Sequence, residues 1–510
     1  MSTSTLLTRA FLVFTCIASI QAADLTGHWL ATMHPPDGQV RESSLFLASQ
    51  GDAVTGYLEL FNQDPAPISN VKVTGSEFTF STVRDYYGEQ RTANFSGTLV
   101  DSTLTVHMPG PNGSTRDLVF KKVSSDAPGP MPTPKPKLTL PPAADVRSNG
   151  LAKTPPMGWN SWNKFARKVT DELVRETADA MASNGMKDAG YEYINIDDTW
   201  EAGRDAHGNI QTNEKFPDMK ALADYIHGKG LKIGIYSSPG PKTCANFEGS
   251  FQHEEQDAKT YASWGIDYLK YDWCSASRVY DYHSMQAAYA KMGKALLESG
   301  RSIVYSLCQY GLLNSSEWGP KVGGNLWRTT GDISDNWSSM SKIGFDQQLP
   351  LTKYAEPGHW NDPDMLEIGN GGMSDTEYRT HMSLWSLLAA PLLAGNDLRS
   401  VPPNTMEILT NKEVIAIDQD KLGKEATRVS KSGDTEVWAR PLADGSYAVG
   451  LFNRGAGSTK VTAAWNDFGA KGKLRIRDLW KHSDEGESAD LFSADVPSHG
   501  VVLIKVGAGN

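Results

Sequence analysis

Several features that mark other classes of protein are missing from this sequence of 510 residues. It contains no run of basic residues and its formal net charge is −11, so it offers no positive stripe to a phosphate backbone and we expect no nucleic-acid partner. It also contains no phosphate-binding glycine loop and no dinucleotide fingerprint. His359 and Asp362 lie three residues apart, but few other histidines could converge on them, so we expect neither a metal site nor a cofactor.

Apolar segments of membrane-spanning length are missing as well. The apolar stretch near the N terminus runs from Ala10 to Ile20, with Arg9 before it and small residues at Ala22 and Ala23 after it. It is too short to span a bilayer, and it has the charged, apolar and small-residue regions of a secretory signal. The sequence therefore predicts a signal peptide over residues 1–22, a secreted or periplasmic protein, and no membrane span.

Cysteine is scarce, with four residues in the chain. Cys16 falls in the predicted signal peptide, where a lipoprotein signal is disfavoured because Phe14-Thr15 suits a lipobox poorly. Removal of the signal leaves Cys244, Cys274 and Cys308. An odd number of cysteines in an exported protein predicts one disulfide and one free thiol, and the spacing leaves open which two residues pair.

The length of the chain predicts two to four domains. Residues 24–123 combine alternating apolar residues with turn signals, which predicts a small all-β domain, a barrel or a sandwich, with Trp29 in its core. Seven prolines lie between Pro128 and Pro142, so we expect residues 124–150 to form an extended, semi-rigid linker. The role of the N-terminal domain stays open between a packing domain and a glycan-binding domain.

Residues 151–427 repeat a helix, a glycine and an apolar strand. The strands end near positions 197, 236, 272 and 307, at spacings of 39, 36 and 35 residues. Apolar strands that alternate with helices over about 270 residues predict a (β/α)8 barrel, with a doubly wound open sheet as the competing fold. In residues 428–510 the alternation returns around an Asp444-Gly445 turn, which predicts an antiparallel β-sandwich.

Polar residues are concentrated where the predicted barrel strands end, which is where barrel enzymes hold their active sites. Lys270 and Asp272 are two positions apart, so their side chains should point the same way and pair, and the lysine would keep the aspartate ionised. Arg328, Thr330 and Asp332 would share a face by the same argument if their strand stays regular. A single pair of this kind could equally well be a structural ion pair. Several polar strand ends in one barrel, however, indicate an active site, which could use two carboxylic acids on a glycosidic bond.

At these residues the chain resembles the α-galactosidases of glycoside hydrolase family 27. The resemblance covers residues 153–506 and leaves out the N-terminal β-domain and the linker. It rests on six motifs taken in order: Met157-Gly-Trp-Asn-Ser-Trp162, Ile196-Asp-Asp-Thr-Trp200, Gly234-Ile-Tyr236, Tyr268-Leu-Lys-Tyr-Asp-Trp-Cys274, Trp327-Arg-Thr-Thr-Gly-Asp-Ile333 and Trp360-Asn-Asp-Pro-Asp-Met365.

The resemblance implies a retaining, exo-acting α-galactosidase in which Asp272 is the nucleophile and Asp332 the general acid/base. It also implies a disulfide between Cys244 and Cys274, which leaves Cys308 as the free thiol, near the 2-position of the sugar. The implied substrate-binding residues are Trp162, Asp197, Asp198, Tyr236, Lys270, Cys308, Gln309, Arg328, Asp364 and Met365. The implied partner is an α-galactoside oligosaccharide, polysaccharide or glycoconjugate, and the sequence does not determine the oligomeric state.

Two adjacent residues that depart from the family pattern bear on the substrate. Many members carry a Glu-Trp pair after the cysteine that matches Cys308, whereas this chain has Gln309-Tyr310, which brings no charge to the 2-hydroxyl. The bulk of these two residues disfavours an N-acetylgalactosaminide. The sequence also leaves open a β-L-arabinopyranosidase and a catalytically inactive carbohydrate-binding protein, and the retention of both Asp197 and Asp198 favours galactose.

Overall fold

A computed structural model of the chain describes residues 24–508, with gaps at 35–39, 51–52, 62 and 110–114. The predicted signal peptide, with Cys16, lies outside the described residues. The chain forms two compact units, which are divided between Lys135 and Pro136. Among the residues described, no helix is both long enough and apolar enough to cross a bilayer.

The N-terminal unit is a closed antiparallel barrel in which each strand pairs with the next and the eighth returns to the first. Its strands are β1 Gly27–Met33, β2 Arg41–Gln50, β3 Ala53–Glu59, β4 Ala66–Thr74, β5 Glu77–Tyr86, β6 Glu89–Val100, β7 Thr103–Pro109 and β8 Thr115–Ser124. Alternate residues point inward and form an apolar core. Trp29 is part of that core and donates its indole N–H to the Leu25 carbonyl at 2.8 Å, which confirms its predicted place.

The second unit begins with a (β/α)8 barrel of eight parallel strands. The eight strands are β9 Met157–Asn160, β10 Tyr193–Asn195, β13 Lys232–Ser237, β14 Tyr268–Asp272, β15 Val304–Cys308, β16 Leu326–Arg328, β17 Trp360–Asp362 and β18 Leu392–Ala394. Between β10 and β13 the chain forms a separate hairpin of β11 Glu201–Arg204 and β12 Ile210–Thr212. β18 pairs with β9, and Leu366, just beyond β17, donates its N–H to the Leu393 carbonyl at 2.8 Å. The sheet therefore closes, which confirms the predicted (β/α)8 barrel and excludes the competing open sheet.

The helices that surround the barrel begin and end at residues the sequence marks. They are α1 Trp162–Phe165, α2 Asp171–Ser183, α3 Met186–Ala189, α4 Met219–Gly228, α5 Glu254–Trp264, α6 Met285–Glu298, α7 Ser315–Trp318, α8 Trp337–Ser341, α9 Asp375–Leu387, α10 Pro403–Leu409 and α11 Lys412–Asp418. The Thr170 hydroxyl caps α2 by accepting the Leu173 N–H at 3.2 Å. Gly265 ends α5 at a φ of 88°, a left-handed conformation that glycine adopts without a steric penalty.

The chain ends in an antiparallel β-sandwich. Its strands are β19 Thr427–Ser432, β20 Thr435–Pro441, β21 Tyr447–Asn453, β22 Thr459–Ala464, β23 Leu474–Asp478, β24 Ser483–Ser488, β25 Leu491–Val496 and β26 Val501–Ala508. β22 and β25 form a two-stranded sheet that faces a six-stranded sheet, and Val449, Val461 and Ile504 lie in the core between the two sheets. β20 and β21 form a hairpin around the predicted Asp444-Gly445 turn.

Residues 136–150 are attached to the barrel rather than free. Leu138 forms a parallel bridge with Tyr280. Asn149 and Asn325 exchange two side-chain hydrogen bonds of 2.9 Å, and Asn325 is buried immediately before β16. This half of the proline-rich segment is therefore a strap across the barrel and not a spacer.

Replacement of Asn149 by alanine tests the strap. Asn149→Ala leaves the buried Asn325 amide short of two partners, so we expect the free energy of unfolding of the second unit to fall by about 1–3 kcal/mol. Urea unfolding followed by circular dichroism measures this change. Asn404→Ala, which removes a hydrogen bond from an exposed asparagine to Asp375, is the matched control, and equal stability of the two variants would contradict the strap.

Candidate active site

The strands of the barrel deliver polar side chains to one of its ends, because the carboxyl ends of parallel strands lie together. β14 ends at Asp272, β15 at Cys308 and β16 at Arg328. Two residues beyond β10 lies Asp197, and two beyond β17 lies Asp364. The structure thus brings the predicted site residues to one mouth of the barrel.

Asp272 is a buried carboxylate with a donor on each oxygen. The residue is only 5% exposed. The Tyr310 hydroxyl donates to Oδ1 at 2.6 Å, and the Tyr236 hydroxyl donates to Oδ2 at 3.0 Å. Burial raises the pKa of Asp272 to about 6, although the charge of Lys270 and the two phenol hydrogen bonds oppose the rise.

Lys270 forms its ion pair with Asp197, whose Oδ2 lies 2.9 Å from the lysine Nζ. The prediction that Asp272 is the direct partner of Lys270 is therefore wrong. The physical reason is the layering of a barrel interior, in which alternate strands contribute to one layer, so a side chain on β14 meets one that follows β10. The lysine still lowers the pKa of Asp272 through space.

Asp198 is the second buried acid after β10. Its Oδ2 accepts the Ala245 N–H at 2.7 Å. Burial raises the pKa of Asp198 to about 7, so its neutral form is the main one at acidic pH. In that form the group can both donate and accept a hydrogen bond.

Arg328 lies between two carboxylates and is itself 3% exposed. Its Nη2 is 2.8 Å from Asp364 Oδ2 and 3.1 Å from Asp332 Oδ1. Asp364 also accepts the Ile333 N–H at 2.9 Å, which ties down the loop that carries Asp332. The guanidinium therefore positions the predicted acid/base through a short network of charged groups.

Asp332 is the exposed member of this network, with 74% of its side chain accessible. The chain leaves β16 at Arg328, so the regular strand on which a shared face with Asp332 depends is not present, and the Arg328 ion pair positions the carboxylate instead. Partial enclosure raises the pKa of Asp332, but the charges of Arg328 and Lys270 outweigh it, and the net shift is downward.

Cys308 and Gln309 follow one another at the end of β15. Cys308 is a free, buried thiol whose Sγ lies 3.7 Å from Arg328 Nη1, and burial raises its pKa. Gln309 is 0% exposed, and its amide N–H points at the Arg328 carbonyl at 3.4 Å. Gln309 thus supports the strand end, and the residue of the pair that reaches Asp272 is Tyr310.

Trp162 and Met365 flank the polar groups. Trp162 is half-buried at the start of α1, and its backbone N–H donates to Asn160 Oδ1 at 2.8 Å. Met365 is buried directly after Asp364. These two apolar side chains come from the loops after β9 and β17, at the same end of the barrel as the acids.

Comparisons with known proteins agree with this arrangement. The family profile described as alpha galactosidase A matches residues 154–420, and the alpha galactosidase C-terminal beta sandwich domain matches residues 432–506. An α-galactosidase of Cyamopsis tetragonoloba is 51% identical over 360 residues, which are 69% of this chain and 86% of that protein. The chain belongs to the α-galactosidases of glycoside hydrolase family 27.

Solved structures of this family extend the likeness. The structure of α-galactosidase I from Mortierella vinacea has a TM-score of 0.67 at 39% identity and covers 70% of this chain and 98% of its own. A Bacteroides fragilis protein, described as a candidate α-galactosidase, has a TM-score of 0.68 at 34% identity and covers 95% of this chain and 92% of its own. The second match extends into the N-terminal unit.

Sequence reasoning missed two polar groups in this family site. Asn160 donates its side-chain N–H to Asp197 Oδ2 at 2.8 Å, and its position at the end of β9 is the signal that could have identified it. The contact from Tyr310 to Asp272 was also missed, because it depends on the path of the chain after β15 and no local pattern marks that path.

The disulfide implied by the resemblance is present between Cys244 and Cys274, and Cys274 directly follows the Asp272-Trp273 pair. Replacement of both cysteines by serine opens a loop with a sequence separation of 30. We expect the free energy of unfolding to fall by about 3–4 kcal/mol, through the added entropy of the unfolded chain. Thermal unfolding with and without a reductant measures the effect. The reductant should lower the melting temperature of the unmodified protein and leave that of the double serine variant unchanged. An equal fall in both proteins would contradict a stabilising role of the disulfide.

Proposed function

We propose that this family member hydrolyses terminal α-D-galactosyl residues from oligosaccharides, polysaccharides or glycoconjugates, with retention of configuration. The observation that carries the proposal is the pair of acids at the barrel mouth. Asp272 is buried with a hydrogen bond to each oxygen, and Asp332 is exposed and tethered to Arg328. The two differ in environment, as a nucleophile and an acid/base must.

The reaction follows two displacements. A carboxylate oxygen of Asp272 bonds to the anomeric carbon while the bond from that carbon to the leaving oxygen breaks, and Asp332 gives its proton to the leaving oxygen. Water then attacks the anomeric carbon of the galactosyl ester, Asp332 takes a proton from the water, and Asp272 departs as a carboxylate. Two inversions at one carbon leave the configuration unchanged.

The polar groups that surround the acids suit the hydroxyls of galactose. In the family pattern Asp197 and Asp198 take the 4- and 6-hydroxyls, and both are buried acids at the carboxyl end of β10. Lys270 would bind the 3- and 4-hydroxyls, and Arg328 the 2- and 3-hydroxyls. A pentopyranoside lacks the 6-hydroxyl and would leave one of these contacts unmade, which favours galactose over arabinose.

The pKa order of Asp272 and Asp332 is the reverse of the order that the first step uses. The productive form has Asp272 ionised and Asp332 protonated, but the pKa of Asp272 is about 6 and that of Asp332 is below its usual value. Between these two pKa values the productive fraction is constant, because each gain in ionised Asp272 is matched by a loss of protonated Asp332. Above about pH 6 Asp272 gains nothing more while Asp332 continues to lose its proton.

The pH dependence of kcat/KM follows from this order. For a nitrophenyl α-galactoside we expect a plateau at acidic pH that ends near pH 6, with a tenfold fall for each further pH unit, because the protonated fraction of Asp332 falls tenfold per unit. Initial rates at substrate concentrations far below KM measure it. A profile that rises through pH 6 and is flat above it would contradict the pKa order.

The stereochemistry of the product tests the proposed reaction. Proton NMR of galactose released from an aryl α-galactoside should show the α-anomer first and the β-anomer only after mutarotation. Asp272→Asn should lower kcat/KM by orders of magnitude without unfolding the chain, because an amide cannot form the ester intermediate.

A surface aspartate provides the control for that variant. Asp224→Asn removes a carboxylate that pairs with Lys220 on α4, and its activity should match the unmodified protein. Initial release of the β-anomer, or an Asp272→Asn variant as active as Asp224→Asn, would overturn the assignment.

The mature protein is proposed to be secreted or periplasmic. The signal-like segment from Ala10 to Ile20 supports this location. The disulfide Cys244–Cys274 supports it independently, since such bonds persist chiefly in oxidising compartments.

A further inference from the structure

Tyr310 reaches the nucleophile from a neighbouring strand. Cys308, at the end of β15, lies directly opposite Asp272 in the parallel pairing with β14, so a regular strand would carry Tyr310 beyond the carboxylate. Instead its hydroxyl lies 2.6 Å from Asp272 Oδ1. Tyr236, from β13 on the other side of β14, lies 3.0 Å from Oδ2, so phenol hydroxyls from both neighbouring strands hold the carboxylate.

The backbone after β15 adopts left-handed conformations at Tyr310 and just beyond it. Tyr310 has a φ of 60°, and Leu313 and Asn314 have φ values of 54° and 55°, in the left-handed region that residues with a side chain rarely adopt. Gly311 has a φ of 77°, and a Cβ built on it would lie 2.2 Å from the Thr329 carbonyl oxygen. Such conformations persist where the surrounding structure requires them, and they cluster at functional sites.

We propose that Tyr310 is a positioning residue for the reaction: together with Tyr236 it fixes the rotation of the Asp272 carboxylate and favours its ionised form. The inference rests on the proposed function, in which Asp272 is the nucleophile. It also gives a role to the departure from the family pattern at Gln309-Tyr310, since the tryptophan that many members carry at the second position has no hydroxyl to donate.

The charges around Asp272 leave the two phenols a distinct role. Lys270 supplies positive charge and Asp332 supplies negative charge, while Cys308, opposite Asp272 on β15, is a neutral thiol because burial raises its pKa. The pKa values of Tyr236 and Tyr310 are also far above their usual range, chiefly through burial, so both phenols keep their protons. They therefore act as donors to the carboxylate at every working pH, and a donor stabilises the charged form of its acceptor.

Tyr310→Phe removes the donor and keeps the ring. The ionised form of Asp272 then loses a charge-assisted hydrogen bond, so its pKa rises and the limb of the kcat/KM profile near pH 6 should move up by about 1–2 pH units. On the acidic plateau kcat/KM should fall about 10- to 100-fold; this deficit should shrink from about pH 6 up to the shifted limb and vanish above it. A loss from misfolding alone would be equal at every pH.

Two further variants separate the effect from the loss of a tyrosine hydroxyl in general. Tyr354→Phe removes another bond from a phenol to a carboxylate, the 2.9 Å contact with Glu317 at the surface, and should leave the profile unchanged. Tyr236→Phe removes the donor from Oδ2 and should move the same limb in the same direction as Tyr310→Phe. Thermal unfolding of all three variants shows whether each is folded at the assay temperature.

Covalent trapping distinguishes failure of this inference from failure of the proposed function. A slow fluorinated galactosyl substrate should leave a galactosyl ester that peptide mass spectrometry finds on Asp272, in the unmodified protein and in Tyr310→Phe. A label on another residue would overturn the nucleophile assignment, and the inference with it. A label on Asp272 together with an unmoved limb in a folded Tyr310→Phe variant would overturn the role of Tyr310 and leave the reaction intact.

Discussion

Charges buried at the mouth of the barrel must find partners across it, because an isolated buried charge costs several kcal/mol. Lys270 meets Asp197, and Arg328 meets Asp364, so the two cations are used by carboxylates other than the nucleophile. Each pair joins residues that are far apart in the sequence, so the pocket exists only when the barrel is closed. The hydrogen bonds through Leu366 that close the barrel are thus a condition for the site as well as the fold.

Asp272 is left with hydrogen bonds in place of a direct ion pair, and this decides its chemistry. A carboxylate in contact with an ammonium group would have a low pKa and little tendency to share electrons with an anomeric carbon. Lys270 acts through space and the two phenols donate hydrogen bonds, and together they lower the pKa less than burial raises it, so the pKa stays near 6. The acid remains ionised at neutral pH and yet keeps the basicity of a useful nucleophile.

The fold and the positions of the acids could be predicted from the sequence, because both depend on periodicity. Apolar strands with regular spacing predict the barrel, and residues that end those strands, such as Asp197 and Asp272, face its mouth whatever their neighbours are. Pairing across the barrel could not be predicted. Local alternation predicts Asp272 as the partner of Lys270, whereas the partner comes from a strand two places away. The contact of Tyr310 could not be predicted either, because residues 310–314 include four with positive φ and only one of the four is a glycine.

Asp332 is the acid whose surroundings oppose the form that catalysis uses. It is exposed, and the charges of Arg328 and Lys270 lower its pKa, whereas the first displacement needs it protonated. A bound galactoside should oppose that shift, because its ring would exclude water from Asp332 and raise the pKa of that acid toward the protonated form. Binding energy is then used at the reacting groups, where it increases kcat, because the ligand itself brings the second acid into its working state.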